Sequence, residues 1–189
     1  MKIEWIVLAA LVGAVIYLAV VYNALVRFRN LAREAWSGID VQLRRRNDLV
    51  PTLVQTVKGY AAHERGLFED VTAKRASSVA ADGVSGQAAA ARALQGSLGR
   101  LMAVAEAYPQ LKADQNFRTL QDQLAEIEDQ LQMARRYYNG TVRNLNIRIQ
   151  SVPDVLVARL LGFTEQPFFE LDDPAAAAVP KVDLTRSRP

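Results

Sequence analysis

"LRRRNDLVPTLVQ", Leu43 to Gln55, sets three arginines, an Asn-Asp pair and a proline inside a sequence that is otherwise helical in pattern. Its reading decides where the chain reverses. A proline in a helix interior clashes with the carbonyl four residues back, here that of residue 47, and offers it no N–H; in a first helical turn neither defect costs much. Asp48 then fits an N-cap. Arg44, Arg45 and Arg46 fit the last turn of a preceding helix, where cations face the negative end of the dipole. The stretch therefore reads as a corner at residues 46–48, with one continuous helix kinked at residue 47 as the alternative.

On the N-terminal side, "WIVLAALVGAVIYLAVVYNALV" runs from Trp5 to Val26 without a charge. At helical rise its 22 residues reach about 33 Å, enough to cross a hydrocarbon core roughly 30 Å thick. Trp5 and Tyr22 stand near its ends as interface aromatics. A cleaved signal peptide would have a shorter apolar region and a small-residue cleavage site, and "YNALVRFRN" supplies no convincing one. Lys2 precedes the span, while Arg27, Arg29, Arg33, Arg44, Arg45 and Arg46 follow it. That bias holds the body on the cytoplasmic side of a single-pass span.

On the C-terminal side, apolar residues recur at helical spacing. Leu25, Phe28, Ala32, Trp36, Ile39 and Leu43 form one stripe, and Leu49, Leu53, Val57, Tyr60, Leu67 and Val71 a second. The third runs from Leu94 to Tyr108. The fourth runs from Phe117 through Leu131, Tyr138 and Leu145 to Ile149, with a stutter in its heptad seam around Tyr138. Between stripes, "SVAADGVSGQ" reads as a loop with Ser85 as N-cap, Asp114 caps the fourth helix, and Pro153 and Gly162 bracket a short one. No strand pattern competes, and amphipathic stripes must hide one another's apolar faces. The expected fold is all-α: an N-terminal transmembrane helix, an antiparallel four-helix bundle and a short C-terminal helix. Its divisions are an anchor at 1–26, the bundle at 27–151, a short helix and aromatic segment at 152–171, and a disordered tail at 172–189. The corner carries a difficulty. Residues 48–79 would descend about 48 Å against a rise of about 30 Å for residues 27–46, driving Lys74 and Arg75 into lipid unless the stalk tilts or bends.

Composition narrows the function. The 189 residues are half hydrophobic, contain no cysteine and carry a formal charge of +3. Thiolate chemistry and disulfides are excluded. The only histidine, His63, has Tyr60 where a Glu-x-x-His metal motif needs Glu, and its neighbour Glu64 points elsewhere on a helix. No nucleophile elbow or phosphate loop is present, so neither catalysis nor a cofactor or metal is expected. Six arginines against Glu34 and Asp40 leave a surplus of four positive charges over residues 27–46. The membrane flank accounts for that patch without nucleic acid.

Several stretches together resemble one family: "YNALVRFRN", "EAWSGIDVQLRRRNDLVPTLVQTVKGYAAHE", "AEAYPQLKADQNFRTLQDQLAEIEDQLQMARRYYNGTVRNLN" and "GFTEQPFFE". The chain is similar over roughly residues 5–170 to the LemA family of bacterial membrane proteins. The resemblance implies an N-terminal anchor and an antiparallel helical bundle. It implies no reaction, since members are described as membrane-associated, some linked to membrane organisation or to membrane-protein quality control.

The expected partners are the lipid bilayer and further copies of the chain, which as a homo-oligomer would organise or shape the membrane. An adaptor docking onto another membrane protein, such as a protease or transporter, is the alternative. Arg27, Arg29 and Arg33 meet anionic lipid. Arg44, Arg45 and Arg46, beyond a Debye length of about 8 Å from the surface, are left for a neighbour. Phe163, Phe168 and Phe169 either plug the open end of their own bundle or enter a groove on a neighbour or the bilayer interface; a hook on a neighbouring subunit is the expectation, because anchors concentrate subunits in one plane.

Overall fold

The computed structural model describes residues 2–171, and the tail expected to be disordered lies outside them. Among the described residues all regular structure is helical. Helix α1 (Lys2–Lys58) is one uninterrupted element of 57 residues, about 86 Å long at standard rise. The corner expected at residues 46–48 is overturned. Asp48 caps nothing, and Arg44 to Arg46 lie in the helix interior. The reason is a long-range donor: Arg75 gives its Nε–H to the carbonyl of Asn47 at 2.7 Å, filling the place of the N–H that Pro51 lacks.

The chain turns instead at residues 59–64, and helix α2 (Arg65–Ala80) starts back toward the membrane end. From Arg27 to Lys58 α1 rises about 48 Å, whereas the 16 residues of α2 return only about 24 Å. Lys74 and Arg75 therefore stay well above any bilayer at residues 5–26. Helix α3 (Gly83–Glu106) runs outward again. Its cap is Asp82, whose Oδ1 accepts from Gly83 N at 2.8 Å, and not the expected Ser85. Gly83, at φ +68, takes a left-handed conformation at the start of the helix that other residues resist.

A short helix α4 (Pro109–Ala113) leads to α5 (Gln115–Gln150), capped as expected by Asp114, whose Oδ1 accepts from Phe117 N at 2.9 Å. Asp114 also accepts the Tyr60 hydroxyl at 3.1 Å, tying the 59–64 turn to the head of α5. Helix α6 (Asp154–Leu160) closes on Gly162 at φ +69. Phe163 N bonds Ala158 O at 2.9 Å and Gly162 N bonds Arg159 O at 3.3 Å, the paired bonds of a Schellman stop.

Three apolar clusters are stacked along α1. The outermost joins Val50, Leu53 and Val57 to Phe68, Leu94, Leu98 and Phe117. The middle one joins Ala32, Ile39 and Leu43 to Leu131, Tyr138 and Phe169. The innermost joins Val21 and Leu25 to Leu145, Ile149, Val157 and Ala158. As α1 numbers fall from 57 to 21, α5 numbers rise from 117 to 149, so the two pair antiparallel over most of α5. Each fully buried Leu, Ile or Phe there stabilises by about 1.5–3 kcal/mol. The first 18 or so residues of α1 have no such partner, and the window of mean hydropathy 2.5 in this helix is almost wholly exposed.

Candidate membrane-proximal site

The apolar segment of α1 is long and hydrophobic enough to cross a membrane. Trp5 and Tyr22 are both exposed on it, and Arg27 and Arg33 follow as exposed cations. Arg29 does something different. Its guanidinium lies 5.0 Å over the ring of Phe163, which also meets Tyr22 edge-on at 6.2 Å. A cation–π contact of this kind holds the start of the C-terminal segment against α1 just above the span.

From Gly162 the chain climbs α5 as an extended strap. Asn146 grips Gln166 twice, its Nδ2 donating to Gln166 O at 2.9 Å and its Oδ1 accepting from Gln166 N at 2.9 Å. Asn139 repeats the grip on Phe169, at 3.1 Å and 2.9 Å. The spacing is geometric: seven helical residues rise about 10 Å and three extended residues about 10 Å, so each amide meets its strap residue in register. Tyr138 donates to Pro167 O at 2.9 Å, and Arg92 from α3 donates to Glu170 O and Leu171 O at 3.0 and 3.1 Å. Burial raises the pKa of the Tyr138 phenol. Phe169 thus enters the middle cluster at 0% exposure, 5.7 Å from Trp36, which in turn lies 5.4 Å from Tyr138.

The aromatic residues therefore divide. Phe163 and Phe169 pack inside their own chain, the folded-back arrangement, while Phe168 remains partly exposed. The arginines divide as well. Arg46 has no solvent exposure; it donates to Glu128 Oε2 and, at 3.4 Å, to Ala91 O, so it joins α1, α3 and α5. Arg44 pairs with Asp40 at 2.9 Å on the surface, and Arg45 bonds Gln42 and approaches Glu126 at 4.0 Å. Arg44, Arg45 and Phe168 are the members of these two groups that stay exposed.

Sequence reasoning missed Asn139, Asn146, Arg92 and Arg75. Two asparagines seven apart in a long helix were the available signal, since Asn is a poor interior helix former unless its amide has work elsewhere. Beside Arg75, a cleft of about 590 Å³ is lined by Asp40, Arg44, Asn47, Asp48 and Gln87. It brings charges of both signs together without a nucleophile and base in contact. His63 is exposed in the 59–64 turn, away from this cleft. No group of three or more His, Cys, Asp or Glu side chains among the described residues is placed to hold a metal ion.

A model of the LemA family matches residues 35–184, more than half of the sequence. The chain belongs to the LemA family. The matched part of this LemA protein begins within α1 beyond the apolar segment and takes in the rest of α1, the α2–α3 hairpin, α5 and the strap. Magnetosome protein MamQ of Magnetospirillum gryphiswaldense is 27% identical over 186 residues, 85% of this chain and 68% of the relative. Magnetosome protein MamQ 2 of Paramagnetospirillum magneticum is 27% identical over 175 residues, 79% of this chain and 64% of the relative. Family and apolar helix agree on membrane association for this LemA protein.

Proposed function

We propose that the chain is a non-enzymatic scaffold of the bacterial inner membrane, whose copies associate in the membrane plane and so organise or shape it. The observation that carries this reading is α1. One helix is both the largely exposed apolar segment and the rod on which α2, α3, α5 and α6 pack, so the body cannot swivel independently of the anchor. A rigid rod fixed in the bilayer converts lateral contacts between bodies into forces on the membrane. The body acts as an antiparallel four-helix bundle on the cytoplasmic side, with Arg27 and Arg33 at the anionic surface and Arg44, Arg45 and Phe168 turned to neighbouring copies. The surface Arg44–Asp40 pair is weakly held, as exposed pairs are, and exchanges readily for an intermolecular one. The similarity to magnetosome membrane proteins supports a role in membrane architecture.

Native mass measurement of the detergent-extracted protein, with particle images, tests the proposal. A series of homo-oligomers with a repeating geometry is expected. A monomer in stoichiometric complex with one dominant foreign protein would replace it with the adaptor reading. Sidedness is tested separately by Ser77→Cys, at an exposed position on α2. The introduced thiol should resist a membrane-impermeant reagent in intact cells and react after permeabilisation; labelling in intact cells would reverse the topology.

A further inference from the structure

The α5–α6 corner is set low on α1. Tyr17, inside the apolar segment, donates its hydroxyl to Asp154 Oδ1 at 2.6 Å, and Asp154 Oδ2 takes Arg148 Nε at 2.7 Å. Val157 and Ala158, the buried face of α6, pack on Val21 and Leu25 of the same segment. With Tyr22 as the interface aromatic at the C-terminal end of the apolar segment, Tyr17 lies five residues deeper, about 7 Å below that level. The corner thus sits at a depth where water is scarce.

Its chemistry matches that depth. Leu156 and Leu160, four apart on α6, are 67% and 78% exposed, Val152 in the preceding turn is 84% exposed, and Leu161 and Ile147 are exposed at the same corner. Asp154 is internally compensated, because both its carboxylate oxygens are engaged and its side chain is 14% exposed, and the exposed Arg159 of α6 is left to extend its head to the lipid headgroups. Ser151 returns its hydroxyl to Ile147 O at 2.7 Å. At the same level of α1, Leu18, Val20 and Tyr22 are exposed too, next in sequence to Tyr17 and Val21, which the corner contacts.

We propose that the α5–α6 corner is a second membrane-contacting element, whose exposed Val152, Leu156 and Leu160 are immersed in the acyl chains of the same leaflet that receives the C-terminal end of the span. This rests on α1 crossing the bilayer. The insertion depth of about 7 Å falls within the 5–10 Å usual for interfacial helices. It adds protein area to one leaflet only, the asymmetry that bends a bilayer. It also fixes the rotation of α1 about its own axis, because only one face of the rod carries the corner.

The native chain lacks cysteine, so a single introduced one can be labelled cleanly. Full-length Leu156→Cys, Val152→Cys, Leu11→Cys and Val41→Cys, all at exposed positions, would be labelled with an environment-sensitive fluorophore. Each would be reconstituted in phosphatidylethanolamine–phosphatidylglycerol vesicles containing lipid with a nitroxide high on the acyl chain. Circular dichroism would confirm unchanged helicity. The labels at 156 and 152 should lose fluorescence to the lipid nitroxide as the label at 11 does and resist aqueous iodide, while the label at 41 shows the reverse. Labels at 156 and 152 behaving like 41 overturn the proposal, with the anchor left intact. Shielding from both quenchers, with self-quenching relieved by unlabelled chain, overturns it in favour of a second copy. If the label at 11 also escapes the lipid nitroxide, the anchor itself fails.

Discussion

Arg75 donates from Nε to the carbonyl of Asn47, the one carbonyl of α1 that Pro51 leaves without a helical donor. A contact spanning 28 residues thereby offsets a local defect. Proline here is tolerated because the fold supplies from α2 what the helix withholds.

The two residues should be thermodynamically coupled. Arg75→Met should cost about 1–3 kcal/mol by leaving the buried carbonyl unpaired. In a Pro51→Ala background, where a backbone N–H returns, the same change should cost less, with a coupling energy of about 0.5–3 kcal/mol. Pro51→Ala alone should stabilise by up to about 2 kcal/mol after allowing for its looser unfolded chain. Asp48→Ala, at an exposed interior position, should shift stability by less than about 0.5 kcal/mol. Chemical denaturation of the four variants measures each quantity.

Arg46 and Glu128 should be unequal partners. The Arg46 side chain is 1% exposed and that of Glu128 27%. Removing the anion by Glu128→Ala strands a buried cation and should cost about 3–5 kcal/mol. Arg46→Met keeps much of the buried stem and lets Glu128 turn to water, so it should cost less than half as much. Equal costs in thermal melts would place the burden on packing rather than charge.

Release of the strap should loosen the chain locally before it unfolds globally. Asn146→Ala and Asn139→Ala each remove a pair of strap bonds and should cost about 1–3 kcal/mol. Hydrogen exchange should rise over residues 163–171 with α1 still protected. Truncation before Phe163 should lower the melting temperature, because Phe163 and Phe169 pack within their own chain.

Acid should weaken the body in a definite window. The Ser97 hydroxyl, with Arg100 nearby, holds the Asp70 carboxyl below its ordinary 3.8. The backbone N–H of Phe117 and the Tyr60 hydroxyl lower Asp114 likewise. Depressed folded values mean that the unfolded chain takes up protons first. This stability is present above about pH 4 and is lost as pH falls through the folded values. Asp70→Asn should flatten the fall in melting temperature below pH 4 and leave the profile near neutrality little changed in slope.

What could be read in the sequence was what local periodicity encodes. The stripe from Phe117 to Ile149 is buried or half-buried throughout, Tyr138 is buried and its neighbour Tyr137 exposed, and Asp114 caps α5. The turn at 59–64 escaped because Leu53, Val57 and Tyr60 keep helical spacing into it, and Ala61 is buried within it. Pro51 misled for the opposite reason, since its local signal was strong and its remedy lay on another helix. The strap has neither a helical nor an alternating pattern, and its order comes from Asn139, Asn146 and Arg92. At the membrane end, Leu156 and Leu160 looked like ordinary helix residues; only the Tyr17–Asp154 bond shows how low on α1 they sit.

The continuity of α1 from the apolar segment to Lys58 is the claim on which the rest depends, and a distance measurement reaches it directly. Asn30→Cys and Lys58→Cys, both at exposed positions, would be spin-labelled in the full-length chain, diluted with unlabelled protein and reconstituted in lipid for pulsed dipolar spectroscopy. One helix places the two backbone sites about 42 Å apart, with the label linkers shifting the measured value by a few Å. A narrow distribution near that distance is the expected result; a corner at residues 46–48 would bring the sites to about 15 Å, and a distribution centred there would contradict the account.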